Sequence, residues 1–309
     1  MRRVVRFVVS LIGGLVLLVI VVSVVYNLST SDPNVPVKHL WHGKLVRTDG
    51  YLSAYREWGS GRRQVVLVGG FLEPTFVWEK VAPLLALGFH VYALDLDGFG
   101  YTERRGPWTL AHWGDQVQAF MRARGIRRPI VIGHSLGAAV AVETARRGLA
   151  SGIVLVDGDA LRSGGPPRLV RTALAHSPFF TTVYRFVLRS PWVVRRILRT
   201  AYGPNRPTLD DAEIARWTDQ FRAAGARHAL QGIVQHGIAG FTHEQLRRVH
   251  ARALVVWGAT DSVDPVSAGR QTALDLEAPF IEVPRAGHLS MLAAARRVVA
   301  AIFKRFAFR

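Results

Sequence analysis

Ser135 sits at the centre of Gly133-His134-Ser135-Leu136-Gly137, after the apolar run Ile130 to Ile132 and before the small-residue helical run Ala138 to Arg147. Strand, sharp turn and helix in that order hold a hydroxyl clear of a sheet, beside the first free N–H groups of a helix. A β-carbon at either flanking glycine would crowd the neighbouring strand and helix. On these five residues alone, the serine reads equally well as a cap of the helix that follows. A serine hydroxyl is a weak nucleophile at neutral pH and needs a base within hydrogen-bond reach, itself oriented by a carboxylate. Two later stretches offer both. Asp261 lies in Gly258-Ala259-Thr260-Asp261-Ser262-Val263-Asp264-Pro265, directly after an apolar run. His288 lies in Val283-Pro284-Arg285-Ala286-Gly287-His288, again after a strand-like segment. In a parallel sheet such loops share one edge with the serine turn. Asp264, Asp157 and Asp159 are rival carboxylates, and Asp261 is preferred over all three. His134 reads as a supporting residue, and Glu73 as either substrate-facing or, more often for such a position, solvent-facing. His228, His236 and His243 have no metal-ligand spacing and read as structural or exposed, so neither a metal nor a cofactor is expected.

The elements that must position these groups are legible in the same rows. Leu45 to Arg47 and Tyr51 to Trp58 flank Asp49-Gly50, a hairpin turn signal, and Gly59-Ser60-Gly61 closes that unit. Gln64 to Val68, His90 to Leu94, Gly152 to Val156 and Ala253 to Trp257 are short apolar runs typical of strands buried on both faces, and Phe280 to Val283 is the last strand candidate. Gln64 to Val68 ends at Gly69-Gly70-Phe71, and His90 to Leu94 runs into the turn cluster Asp95 to Gly100. Thr75 to Leu87 and Trp108 to Arg124 fit helices. Alternation of strands and helices predicts a mainly parallel sheet flanked on both faces by helices. Between Ala160 and Val249 the strand pattern stops. Arg168 to Leu174, Thr182 to Leu188, Trp192 to Tyr202, Leu209 to Ala223 and Ala226 to Ile233 read as helices, opened by Gly164-Gly165-Pro166-Pro167. Ser177-Pro178 and Ser190-Pro191 are helix-start signals. This region predicts an all-helical cap inserted between two strands. Phe179, Phe180, Tyr184, Phe186, Val187 and Trp192 could line its pocket or form its own core.

The chain has 309 residues, 49% of them hydrophobic, enough for one large α/β domain with an insertion. It has no cysteine, which excludes disulfides, thiolate metal sites and cysteine nucleophiles. Its net charge of +18 comes mostly from arginine. Coding bias or attraction to anionic lipid fits this better than nucleic-acid binding, because no basic helix with base-stacking aromatics is present. Phe7 to Leu28 carries no charge and follows Arg2, Arg3 and Arg6. A helix needs about 20 apolar residues to cross the hydrocarbon core. The run is longer than the apolar region of a cleaved signal peptide and ends without a small-x-small site. The expectation is an uncleaved single-pass anchor in the cell membrane, with its N-terminus cytoplasmic and the remainder exported. The expected organisation is 1–28 anchor, 29–40 stiff linker, 41–160 core, 161–250 cap and 251–309 core. The partners expected are the membrane, through residues 7–28, and a small-molecule or lipid ester, without nucleic acid.

From about Leu45 to its end the chain resembles the α/β-hydrolase superfamily, in its capped, epoxide-hydrolase-like branch. The Gly69-Gly70-Phe71 loop, Asp95 to Gly100, the Gly133 to Gly137 turn, and Asp261 with Gly287-His288 carry the resemblance together. The order Ser135, Asp261, His288 is the nucleophile–acid–base order of that fold. The resemblance implies Ser135 as nucleophile, His288 as general base and then acid, and Asp261 as its orienter. It also implies an oxyanion hole made by the backbone N–H groups of Phe71 and Leu136. Members of the branch with a carboxylate at the turn open epoxides or displace halides; Ser135 points instead to acyl chemistry. Where the family usually has His-Gly, this chain has Gly69-Gly70, which leaves that loop with one restraint fewer. The implied activity is hydrolysis of a carboxylic ester, apolar or lipid-like, through an acyl-serine intermediate. A C–C bond hydrolase or an acyltransferase would use the same three residues, and a non-catalytic binding protein would keep only the fold.

Overall fold

The computed structural model describes residues 2–162, 165–238 and 240–306. Eight strands form one sheet: β1 (Lys44–Thr48), β2 (Tyr51–Trp58), β3 (Gln64–Val68), β4 (His90–Leu94), β5 (Ile130–His134), β6 (Gly152–Val156), β7 (Ala253–Gly258) and β8 (Phe280–Val283). Their order across the sheet is β1-β2-β4-β3-β5-β6-β7-β8. The β1–β2 and β2–β4 pairs are antiparallel, and every other pair is parallel. The Asp49-Gly50 turn makes the β1–β2 hairpin, with both residues at positive φ. β3, β5, β6 and β7 are almost entirely buried, as their unbroken apolar runs require, and the core lies on both sheet faces.

The helices are α1 (Arg2–Ser29), α2 (Leu110–Arg124), α3 (Leu136–Arg146), α4 (Arg168–Ala175), α5 (Pro178–Phe186), α6 (Pro191–Tyr202), α7 (Asp211–Thr218), α8 (Ala226–His236), α9 (His243–Arg247), α10 (Val266–Asp275) and α11 (Ala295–Phe306), with shorter turns between them. The single helix expected over Thr75 to Leu87 is instead a 3-10 turn at Thr75–Trp78 and one α turn at Ala82–Leu85. Pro83 explains the break: it has no N–H, and its ring excludes a helical carbonyl at Glu79. Residues α4 to α9 lie between β6 and β7. The insertion is closed at its neck by a parallel bridge, Leu161 to Phe241, with Arg162 N–H donating to Phe241 C=O at 2.9 Å. Ser177 and Ser190 cap α5 and α6 as their Ser-Pro sequences predict. Of the Gly164-Gly165 opening, Gly164 lies outside the described residues.

Helix α1 is long and apolar enough to cross a membrane by length and composition. Its end is fastened to the insertion. Asn27 Nδ2 donates to Pro178 C=O at 2.8 Å, and Arg185 donates to the carbonyls of Asn27 and Thr30. The segment after α1 does not hang free as a spacer. Asp32 bridges Arg185 at 2.8 Å and Arg227 at 2.6 Å, and Val35 pairs with Ala223.

Candidate functional site

In register, β5 ends beside Val68 of β3 and Val156 of β6, and β7 ends beside Val283 of β8. All the expected site residues therefore emerge at the carboxyl edge of the parallel strands. Ser135 occupies the strand-to-helix turn at φ 49° and ψ −119°, outside the regions that non-glycine residues ordinarily adopt. Such strain costs of order 1–3 kcal/mol and persists only where the surroundings enforce it. Here the Ser135 N–H is tied to Val156 C=O at 3.0 Å, and its C=O accepts from Ala138 N–H at 2.9 Å. The turn can be this tight because Gly133 has no side chain: a β-carbon there would lie 1.9 Å from Gly137 C=O.

His288 Nδ1 lies 2.9 Å from Asp261 Oδ2, and the Asp261 side chain is fully covered. The carboxylate only accepts, so Nδ1 carries the hydrogen and Nε2 is left as the basic nitrogen. Asp261 Oδ1 in turn accepts Val263 N–H at 2.8 Å and Asp264 N–H at 3.1 Å, so the loop itself holds the carboxylate. Of the rivals, Asp264 makes no hydrogen bond to His288; burial raises its pKa, partly offset by the charge of His288. Asp159 accepts from Leu161 N–H. Asp157 is buried and ties together the ends of two strands, accepting Gly258 N–H at 2.7 Å and Ser290 N–H at 3.0 Å. Burial pushes Asp157 up to about 6, against the nearby His134 and the Ser290 hydrogen bond. The Asp95 to Gly100 turn is scaffolding: Asp97 accepts from Gly106 N–H, Trp108 Nε1 and His112 Nε2.

Ser135 and His288 open onto one cavity of about 360 Å³, whose wall is completed by Phe71, Leu72 and Glu73 from the core and by Leu188, Val194, Ile197, Leu198, Trp217 and Phe221 from the insertion. The aromatic residues read from the insertion's sequence as possible pocket lining are elsewhere. Tyr184 is in the insertion's own core, Phe179 and Phe186 flank a groove against α1, and Trp192 is exposed. Helical periodicity marks a face, but which neighbour meets that face is a tertiary matter. Leu136 is the first residue of α3, so its N–H has no intrahelical acceptor, and Phe71 stands at the cavity wall on the facing loop.

Glu73 is where sequence reasoning fell shortest. It is buried, not solvent-facing. Its Oε2 accepts Gly70 N–H at 2.6 Å and faces His134 Nδ1 at 2.7 Å, while His134 Nε2 lies 2.7 Å from His288 C=O. The Gly69-Gly70 loop therefore has a restraint after all, supplied three residues downstream. Burial opposes a charge on His134, but the adjacent Glu73 carboxylate outweighs it, leaving His134 pushed up to about 9. His134 thus holds its proton more tightly in the folded protein than in an unfolded chain, which makes stability depend on its protonation. That stability is fully present below about pH 6.5 and is lost as pH rises through about 9. Asp157, raised to about 6, titrates in a separate and lower window. The urea midpoint should accordingly fall between pH 7 and pH 10, and fall less in His134→Gln; equal slopes in the two proteins would contradict this account.

An eight-stranded, mainly parallel sheet with a serine turn after its central strand, and acid and histidine loops after later strands, is the architecture of α/β hydrolases. A model of the alpha/beta hydrolase family matches residues 65–301, and the chain belongs to that family. Over 234 residues it is 25% identical to the uncharacterized hydrolase YugF of Bacillus subtilis, covering 74% of this chain and 84% of that protein. It is 26% identical to a non-heme haloperoxidase of Rhodococcus erythropolis over 75% of this chain and 86% of that one. Among solved structures, a meta-cleavage product hydrolase of Pseudomonas fluorescens superposes with a TM-score of 0.72 at 21% identity, over 86% of this chain and 97% of that one. A bacterial membrane phospholipase A superposes with a TM-score of 0.70 at 22% identity, over 99% of this chain and 98% of that one.

Proposed function

We propose that the protein is a membrane-anchored serine hydrolase that cleaves carboxylic esters with apolar acyl groups. The observation that carries this reading is His288, paired with the covered Asp261, opening with Ser135 onto a cavity walled mainly by apolar side chains. Ser135 Oγ attacks the ester carbonyl carbon while His288 Nε2 takes the hydroxyl proton. The carbonyl oxygen becomes an oxyanion held by the N–H groups of Phe71 and Leu136. The tetrahedral adduct collapses, the bond to the alkoxy oxygen breaks, and His288 protonates the departing alcohol. Water, deprotonated by His288, then releases the acid from acyl-Ser135. Asp261 keeps the imidazole in the required tautomer and stabilises its cationic form.

Anchoring is supported by α1, whose 28 residues span roughly 42 Å at 1.5 Å per residue, against a hydrocarbon core of about 30 Å. Arg2, Arg3 and Arg6 favour a cytoplasmic N-terminus and an exported catalytic domain. The insertion continues the apolar surface of α1: Val183 and Phe186 of α5 are exposed beside it across a groove of about 590 Å³. An apolar surface shared by the anchor and the insertion supports a lipid-like ester. The likeness of the whole chain, α1 included, to a membrane phospholipase A points the same way. The likeness to a meta-cleavage product hydrolase keeps C–C bond cleavage as the second reading.

The test uses the detergent-solubilised full chain. A fluorophosphonate probe should label the wild type and neither Ser135→Ala nor His288→Ala. Turnover of p-nitrophenyl esters should rise from acetate to octanoate, and a dienoate diketone should be left intact. A folded wild type that takes no label defeats the serine-hydrolase reading; rapid diketone cleavage without ester turnover replaces it with the second. Anchoring is checked by an alkaline carbonate wash, which should leave the chain in the membrane fraction.

A further inference from the structure

We infer that Glu73 and His134 act as a positioning pair that locks the oxyanion loop and the His288 loop in register over Ser135. The inference rests on the serine-hydrolase reading, and its parts are all within one hydrogen-bonded chain. Glu73 Oε2 accepts Gly70 N–H at 2.6 Å, His134 Nδ1 meets the same oxygen at 2.7 Å, and His134 Nε2 meets His288 C=O at 2.7 Å. A carbonyl oxygen cannot donate, so His134 Nε2 carries a hydrogen. Glu73 Oε2 already accepts from Gly70, so the ion-paired arrangement puts the second hydrogen on His134 Nδ1. The imidazole is then a cation clamped between a carboxylate and a carbonyl, and charge-assisted bonds of this kind are roughly twice as strong as neutral ones.

Each end of the chain fixes one working group. At one end, Gly70 is held on both sides: its N–H by the Glu73 carboxylate, and its C=O by Glu73 N–H at 3.3 Å. The peptide plane between Gly70 and Phe71 is thereby set, and with it the direction of the Phe71 N–H. The loop lies close over the nucleophile, since a β-carbon on Gly70 would stand 2.9 Å from Ser135 Cβ. At the other end, His288 is gripped twice, at its carbonyl by His134 and at its ring by Asp261. His134 itself belongs to the strand-to-helix turn and stands next to Ser135. One side chain therefore references both the oxyanion donor and the base to the nucleophile.

Burial makes a purely packing role a poor account of the pair. His134 is completely covered and Glu73 nearly so, and a buried ion pair is often no more stabilising than apolar residues of the same volume. The other ionisable groups around His134 are Asp157, with Oδ2 at 3.8 Å from Nε2, the His288 ring, edge-on at 4.9 Å between centroids, and Asp264, whose charge interacts with it. None of them takes over the bond to Gly70. Neither Glu73 nor His134 is assigned contact with the reacting atoms, so both are positioning residues.

The experiment compares wild type, Glu73→Gln, His134→Gln and the double variant, as solubilised full chains, on p-nitrophenyl octanoate. Misplacing a catalytic group by about 1 Å costs of order 10²-fold in rate. Each single variant should lose about 10- to 100-fold in kcat with KM nearly unchanged. Inhibition by an alkyl boronic acid, whose tetrahedral adduct on Ser135 uses the oxyanion site, should weaken in parallel. The double variant should be no slower than the slower single one, because the two residues act as a unit. A structural role alone would lower melting temperature without this parallel loss. If a Gln variant does not fold, Glu73→Asp is read instead; it keeps the charge but falls one methylene short of Gly70, and should show the same kcat loss. Unchanged kcat, independent losses that multiply, or kcat loss with boronate affinity intact would each overturn the pair. Wild type that takes no fluorophosphonate overturns the hydrolase reading and the pair with it. Labelled wild type beside unaffected variants overturns the pair alone.

Discussion

Ser135→Ala and His288→Ala are each expected to lower kcat for ester hydrolysis by about 10⁶-fold, and Asp261→Asn by about 10⁴-fold, with KM little changed. The grading follows from what each residue supplies in the proposed mechanism. Without Ser135 there is no acyl-enzyme, and without His288 the hydroxyl keeps its proton, so either loss removes the same step. The double Ser135→Ala/His288→Ala variant should therefore be no slower than either single one. Asp261→Asn leaves both partners in place. Its amide can donate to His288 Nδ1, which selects the tautomer with the hydrogen on Nε2, the nitrogen that must accept from Ser135. Oδ2 of Asp261 lies 2.9 Å from His288 Nδ1, so the substitution acts directly on that choice. Residual turnover of 10³–10⁴ over water is the expected contribution of Phe71, Leu136 and substrate binding. Asp264→Asn is the control, since the Asp264 side chain makes no hydrogen bond to His288. Steady-state rates on p-nitrophenyl octanoate decide the matter. Loss of less than tenfold in Asp261→Asn, or a larger loss in Asp264→Asn, would take the acid role away from Asp261.

The core was readable from sequence because its central strands are almost wholly buried and end in loops with their own punctuation. Tyr51 to Trp58, Gln64 to Val68, His90 to Leu94 and Phe280 to Val283 have the strand bounds their apolar runs give. That Ser135, Asp261 and His288 share one sheet edge was readable because each follows such a run, and the parallel sheet brings those ends together. Glu73 was not. Its partner His134 is 61 residues away, and nothing local in Phe71-Leu72-Glu73 distinguishes a buried, paired carboxylate from an exposed one. The insertion was readable as helices but not in its packing. Leu188 and Leu198 face the cavity while Phe179 and Phe186 face α1, and periodicity alone cannot rank those neighbours. The segment after α1 had the composition of a spacer; only the approach of Arg185 and Arg227 from two different helices turns Asp32 into a clasp.

Gly133→Ala is expected to cost more than about 4 kcal/mol in stability, beyond the range of ordinary substitutions, and to leave little folded protein. The added methyl would lie 1.9 Å from Gly137 O, 2.2 Å from Gly137 C and 2.6 Å from Ala138 N. All three are backbone atoms in the first turn of α3, so no side chain can rotate away to make room. Relief requires moving α3 off β5, against a core in which Ala138, Val140, Ala141 and Val142 are almost wholly buried. Overpacking that side chains can absorb costs only about 1–3 kcal/mol; a collision with a helix backbone has no such outlet. Ser135→Ala, two residues along in the same turn, adds no atoms and should keep the wild-type urea midpoint. The contrast separates two demands on the turn: the chemistry proposed for Ser135, and the tight backbone at Gly133 that presents it. Urea titration of both variants beside wild type reads this directly. A Gly133→Ala protein with an unshifted midpoint would mean that β5 and α3 can separate freely, and the strain at Ser135 would then lose its structural cause.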